Sequence, residues 1–265
     1  MNPIFVLMRH HWRRHRVPLI VMSAALGLFE FLITRLAPAP NELNWMAGLL
    51  RSMPPQVIAS MGGPAAIASS GGVLAVGYSH PFFFLMLSVW VVRVPSAAFA
   101  GEIGQGTMDL IGSRPISRWQ QVVAADLFTS TGVIVMVAVA WIGTALGLAT
   151  RPLGVSALEF LRVGTVAALL YIAWLDVSLL VSATRRDAGG AIAWTSGILA
   201  TSFVLEYLAR LWDPIAALRP FSLFAYYQPL DLVNGWPSLG SLAVLALTAT
   251  AALGVAIAIF QRRDL

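Results

Sequence analysis

Six long apolar runs alternate with shorter polar stretches along the chain, at roughly 17–36, 77–100, 119–148, 158–183, 189–208 and 239–260. Each is long enough to cross about 30 Å of hydrocarbon, which takes about 20 helical residues at about 1.5 Å each. Backbone polar groups in lipid must pair within the chain, so the runs read as helices. The short alternating strands of a membrane barrel are absent from the pattern. It predicts an all-α integral membrane protein, with six transmembrane helices in one domain over 1–265.

The stretches between the runs have their own periodicity. In residues 1–16, Ile4, Phe5, Met8 and Trp12 share one arc of a helical wheel, and Arg9, Arg13 and Arg16 form the adjacent stripe. That predicts an interfacial helix over 3–16, with arginines among the lipid phosphates. In the loop 37–76, MPPQVIASMGG (53–63) reads as a short helix that prolines open and glycines close. The segment 209–238 holds RPFSLFAYYQPLDLVNGWP, too apolar for a solvated loop. It predicts short re-entrant or interfacial helices anchored by Tyr226, Tyr227 and Trp236.

The connection between the second and third runs reads GEIGQGTMDLIGSRPISRWQ (101–120). Ile103, Leu110 and Ile111 fall on one helical face; Glu102, Gln105, Gly106 and Asp109 fall on another. This predicts a surface helix over 101–113, ended by Gly112 and a turn at Ser113-Arg114-Pro115. Ser117 and Gln120 have the spacing of a capping box that starts the third span.

Composition supports the membrane reading. The chain is 58% hydrophobic and only 11% charged, against about 25% charged for a soluble domain. With no Cys, thiolate metal sites and disulfides are excluded, and no metal-binding set stands out. All 17 basic residues are Arg, which excludes a phosphate-loop lysine and Schiff-base chemistry. The net charge of +5 is scattered among apolar runs, so it marks orientation rather than nucleic-acid binding. With the N-terminus inside, Arg9, Arg13, Arg14, Arg16, Arg114, Arg118, Arg185, Arg186, Arg262 and Arg263 all fall on the inner side. That distribution predicts two cytoplasmic termini.

Three charges stand inside the spans. Arg93, Asp126 and Asp176 each lie roughly 12–14 Å from the inner interface, and the shared depth predicts a paired cluster between helices. Glu30 and Glu206 lie nearer the outer side and read as structural, Glu206 having Arg210 at i+4. Of the four His, 10, 11 and 15 belong to the basic N-terminal stretch and His80 stands alone. No G-x-S-x-G, HExxH, Walker A or dinucleotide fingerprint is present, which predicts no catalysis and no cofactor on this chain.

The pattern Glu102, Gly106, Thr107, Ser113, Arg114, Pro115, Ser117, Arg118 resembles the segment after the second span in permease subunits of type-2 ABC exporters. RPFSLFAYYQPLDLVNG is similar to the aromatic phrase before their last span, though Phe221-Ser222 stands where the family often has Ser before Pro-Phe. FQRRDL resembles their C-terminal ending, and MPPQVIASMGG their first outer loop. The resemblance implies six spans, an N-terminal elbow helix, and a cytoplasmic coupling helix at 101–113 between spans two and three. It also implies short outer helices before span six. It further implies a dimer, with a second permease copy or a paralogue, in the cell membrane of a prokaryote. Separate ATPase subunits would hold ATP and Mg. Glu102, Gln105, Gly106, Thr107 and Asp109 would face the ATPase; Ile103, Leu110, Ile111, Arg114 and Arg118 would anchor the coupling helix. The transported substrate would be hydrophobic or amphiphilic. Two rivals remain: an ion-driven secondary transporter using Asp126 and Asp176, and an intramembrane enzyme.

Overall fold

The computed structural model describes residues 3–38, 69–106 and 116–263, with the single positions 52, 55 and 58. These residues are helical or irregular, without a strand. Six helical stretches are long and apolar enough to cross a membrane, so the chain has the build of a multi-pass membrane protein.

Helix α1 runs unbroken over Pro3–Leu36, with Pro18 inside it. The expected N-terminal helix and first span therefore join as one continuous helix. The second crossing is broken instead. Helix α2 covers Ser70–Ser79 and α3 covers Pro81–Ser96; a π-helical turn, Ala97–Gly101, and one further turn, Glu102–Gly104, follow. Pro81 has no N–H to continue the ladder. His80 caps the new helix: its Nδ1 accepts from the Phe82 N–H at 3.1 Å. The Tyr78 carbonyl accepts from the Tyr227 hydroxyl at 3.1 Å. Tyr227 is accordingly a core residue, 2% exposed, and not the interfacial anchor expected from its place in an aromatic segment. Trp236 does lie at the surface, with the Arg162 guanidinium 5.9 Å over its ring.

Helix α4 spans Arg118–Thr150, α5 Ala157–Thr184 and α6 Ala188–Leu211. Before α4, the Gln120 side chain accepts from the Ser117 N–H at 3.0 Å, the reciprocal half of the expected capping box. Two 3₁₀ turns, Asp213–Phe221 and Leu223–Tyr226, and helix α7, Pro229–Asn234, occupy the stretch where short helices were expected. Helix α8, Leu239–Arg262, ends the described chain. Both described termini lie at one end of the bundle, called here the terminal end.

Helix α5 is the central column. Phe160, Leu170, Tyr171, Trp174 and Leu179 are buried along it, and it packs against α3, α4, α6, α7 and α8. Helix α1 lies mainly along α4. Their contact is backbone to backbone. A Cβ on Gly143 would stand 2.0 Å from the Gly27 carbonyl oxygen, and one on Gly147 would stand 2.5 Å from Thr34 Cβ. Gly143 and Gly147 form the small-xxx-small spacing that lets membrane helices approach closely. Helix α6 is peripheral; only Ala191, Thr195, Ser202, Glu206 and Ala209 along it are buried.

Candidate functional site

At the terminal end, the second crossing leaves the bundle through Gly104, Gln105 and Gly106, all exposed. Gly106 takes φ +68°, the left-handed conformation that closes helix ends and that glycine adopts freely. Residues 101–104 thus continue the second crossing; of the surface helix expected over 101–113, residues 107–113 lie outside the described residues. Thr107, Asp109, Leu110, Ile111 and Arg114 lie outside the described residues. Ile103 is half-buried and packs against the core.

Glu102 points back into the chain. Its Oε1 accepts from Arg14 Nη1 at 2.5 Å. The bond joins α1 to the start of the polar connection, so Glu102 has an intrachain partner where an exposed gripping residue was expected. Arg14 is 39% exposed on its side chain, so the pair is worth about 0.5–1 kcal/mol after solvent screening. A double-mutant cycle of Arg14→Ala and Glu102→Ala, read by thermal unfolding in detergent, is expected to show that coupling. Additive single effects would refute the pairing.

Arg118 serves the C-terminal end of α8. Its Nη1 donates to the carbonyls of Phe260 and Gln261, both at 3.3 Å, and to that of Arg263. A cation there satisfies orphan carbonyls and complements the negative helix end. The Arg263 guanidinium in turn donates to the Ala183 carbonyl at 2.8 Å, at the end of α5.

At mid-depth the expected three-charge cluster divides. Asp126 on α4 and Asp176 on α5 bring their carboxyl groups within hydrogen-bonding reach of each other. Ser130 Oγ donates to Asp126 Oδ1 at 3.1 Å. Arg93 is exposed and faces a different space: a cleft of about 600 Å³ between α3 and α6, lined also by Phe84, Leu85, Val89, Ile192 and Phe203. Among the described residues no ion pair joins Arg93 to either acid. Equal depth put the three residues at one level; the direction each helix turns its side chains separates the arginine from the aspartates.

At the far end, Glu206 is 5% exposed. Its Oε1 accepts from Arg210 Nε at 2.7 Å and from Gln228 Nε2 at 3.1 Å, and both its oxygens accept from Arg219 Nε at 3.2 Å. The i+4 pair with Arg210 was legible in the sequence. Arg219 and Gln228 come from the segment after α6 and were not. The Ser222 hydroxyl donates to the Ser202 carbonyl at 2.7 Å, a second tie between that segment and α6. Glu30, 1% exposed, lies where a side chain on Gly77 would otherwise be, 2.6 Å from an ideal Cβ there. Among the described residues no group of three or more His, Cys, Asp or Glu could hold a metal.

Compared with models of known families and with curated proteins, the chain matches none.

Proposed function

We propose that the chain is the membrane-spanning permease subunit of an ATP-driven exporter of the type-2 ABC class. It would work as a dimer, with ATP and Mg bound by separate ATPase subunits. The arginine distribution supports cytoplasmic termini, and the membrane would be the cell membrane of a prokaryote. The observation that carries the reading is the Arg14–Glu102 bond at 2.5 Å, where the second crossing emerges. It lies at the root of the stretch whose residues resemble the exporters' coupling segment. A push on that stretch reaches α1 through the ion pair and α3 through the continuous backbone. The six crossings, and the short helices ahead of the sixth, support the same assignment.

The motor must make different contacts with the two states it interconverts. Gln105, Gly106, Thr107 and Asp109 are the residues assigned to the ATPase, with Glu102 holding the base of the connection to α1. Substrate would be hydrophobic or amphiphilic, and the α3–α6 cleft offers it an apolar wall with Arg93 at one edge. The test is reconstitution with an ATPase encoded beside this chain. Gln105→Ala with Asp109→Ala is expected to cut ATPase binding and transport-linked hydrolysis by about tenfold, the equivalent of about 1.4 kcal/mol. Transport that runs on an ion gradient with no ATPase present would overturn the assignment.

A further inference from the structure

Asp126 and Asp176 meet on the facing sides of α4 and α5, and the surrounding helices supply no counter-charge. Asp126 stands eight residues into α4 from Arg118, and Asp176 eight residues before the end of α5 at Thr184. Both are therefore about 12 Å from the terminal ends of their helices. The charged and titratable residues on the neighbouring helices can be placed. Helix α1 carries Arg9, His10, Arg13, Arg16 and Arg35, all exposed; its Arg14 is engaged with Glu102, its His11 and His15 pack on Phe128, and its Glu30 lies beside Gly77 at the far end. Helix α3 carries Arg93, which faces the cleft toward α6. Helix α6 carries Glu206 and Arg210, engaged with each other at the far end. Helix α8 carries only Arg262, in its last turn. The other charges of α4 and α5 are Arg118, Glu159 and Arg162, all toward helix ends.

Two ionised carboxylates offer acceptors only, so they cannot hydrogen-bond to each other. At low dielectric their repulsion is severe, and carboxyl pairs sharing one site resolve it by keeping a proton. Asp176 is 2% exposed and its Oδ1 is a buried acceptor with no hydrogen-bond partner among the described residues. Ser130 occupies Asp126 Oδ1 from the other side. Two carboxyls and one hydroxyl are too few oxygens for a hard metal cation, which takes about six or more.

We infer that Asp126 and Asp176 together form an intramembrane site that binds one proton between their carboxyl groups. With the proton bound, the contact between α4 and α5 is a hydrogen bond; without it, two like charges face each other in an apolar surround. The site thereby makes the α4–α5 contact responsive to protonation, whatever drives transport.

The test uses the full chain in lipid nanodiscs at neutral pH. Infrared spectra are expected to show a protonated-carboxyl C=O band that is stronger in the wild type than in the Asp126→Asn/Asp176→Asn double variant. In the wild type, a hydrophobic carbodiimide, which reacts with protonated buried acids, is expected to label Asp126 or Asp176 in peptide mapping. Labelling is read on the wild type alone, so it decides the matter if the double variant does not fold. Identical spectra for wild type and double variant would overturn the inference, as would adducts absent from both acids. A sodium-dependent rise in Tm that the double variant lacks would make the occupant a sodium ion and overturn it equally.

Discussion

Gly143→Ala is expected to lower the Tm of the chain sharply, and Gly143→Leu to leave no folded protein. The reason is the partner atom. A Cβ at this position meets the Gly27 carbonyl oxygen at 2.0 Å, with the Gly27 carbonyl carbon at 2.9 Å and its Cα at 3.1 Å. A side chain could swing aside; a backbone carbonyl cannot move without carrying α1 with it. Gly27 is itself enclosed, since a Cβ there meets Val139 Cγ1 at 2.8 Å and the Val139 carbonyl oxygen at 3.0 Å. Overpacking in a close-packed interior costs about 1–3 kcal/mol, and parting two helices along their main contact belongs at the upper end. Gly197→Ala on α6 is the control. Nothing lies within 4 Å of its Cβ position, and replacing glycine within a helix gains up to about 1 kcal/mol. Thermal unfolding in detergent reads both. Equal Tm values for Gly143→Ala and Gly197→Ala would show that the α1–α4 contact is not as close as described.

Glu206→Ala is expected to destabilise the far end by about 2–3 kcal/mol, the range for losing charge-assisted hydrogen bonds at a largely buried group. The carboxylate accepts from three side chains, and removing it leaves Arg210 and Arg219 facing each other without a counter-charge. The arginines are 30% and 42% exposed on their side chains, so water takes up part of the loss and keeps the cost below that of a fully buried pair. Glu206→Gln keeps an acceptor oxygen and is expected to recover a part. Because Arg219 and Gln228 lie on the segment between α6 and α8, the loss should be local. Limited proteolysis is expected to cut within 212–228 in Glu206→Ala before the rest of the chain. Uniform loss of protection across the bundle would argue against a local clasp.

The six crossings were legible because lipid imposes one rule on every backbone group, and a run of apolar residues satisfies it without help from elsewhere. The ends of the helices were legible where a local side chain sets them, as with Ser117 and Gln120. Contacts between distant segments were not. The depth of Arg93, Asp126 and Asp176 follows from counting residues, but the direction each helix turns its side chains depends on its neighbours. Tyr227 sits in an aromatic stretch that looked interfacial, yet its hydroxyl serves the Tyr78 carbonyl, left open because the Phe82 N–H turns to His80, a need visible only once α2 and α3 are seen to break there. Arg14 looked like one of several orientation charges until Glu102 proved to be its partner. The GTALG spacing at 143–147 is in the sequence, but nothing in it names Gly27 as the surface it meets.

Helix α4 has 33 residues, about 50 Å of helix, against a hydrocarbon layer of about 30 Å. A rod that outruns the membrane it crosses leans, and the angle depends on the thickness of the layer at a cost of fractions of a kcal/mol per Å. The glycine contact at 27 and 143 allows α1 no independent angle, so the two lean as one body. Arg118, at the foot of α4, grips the last carbonyls of α8, and the lean is passed on to the final crossing. The bilayer's own thickness thus becomes a setting for the posture of three helices.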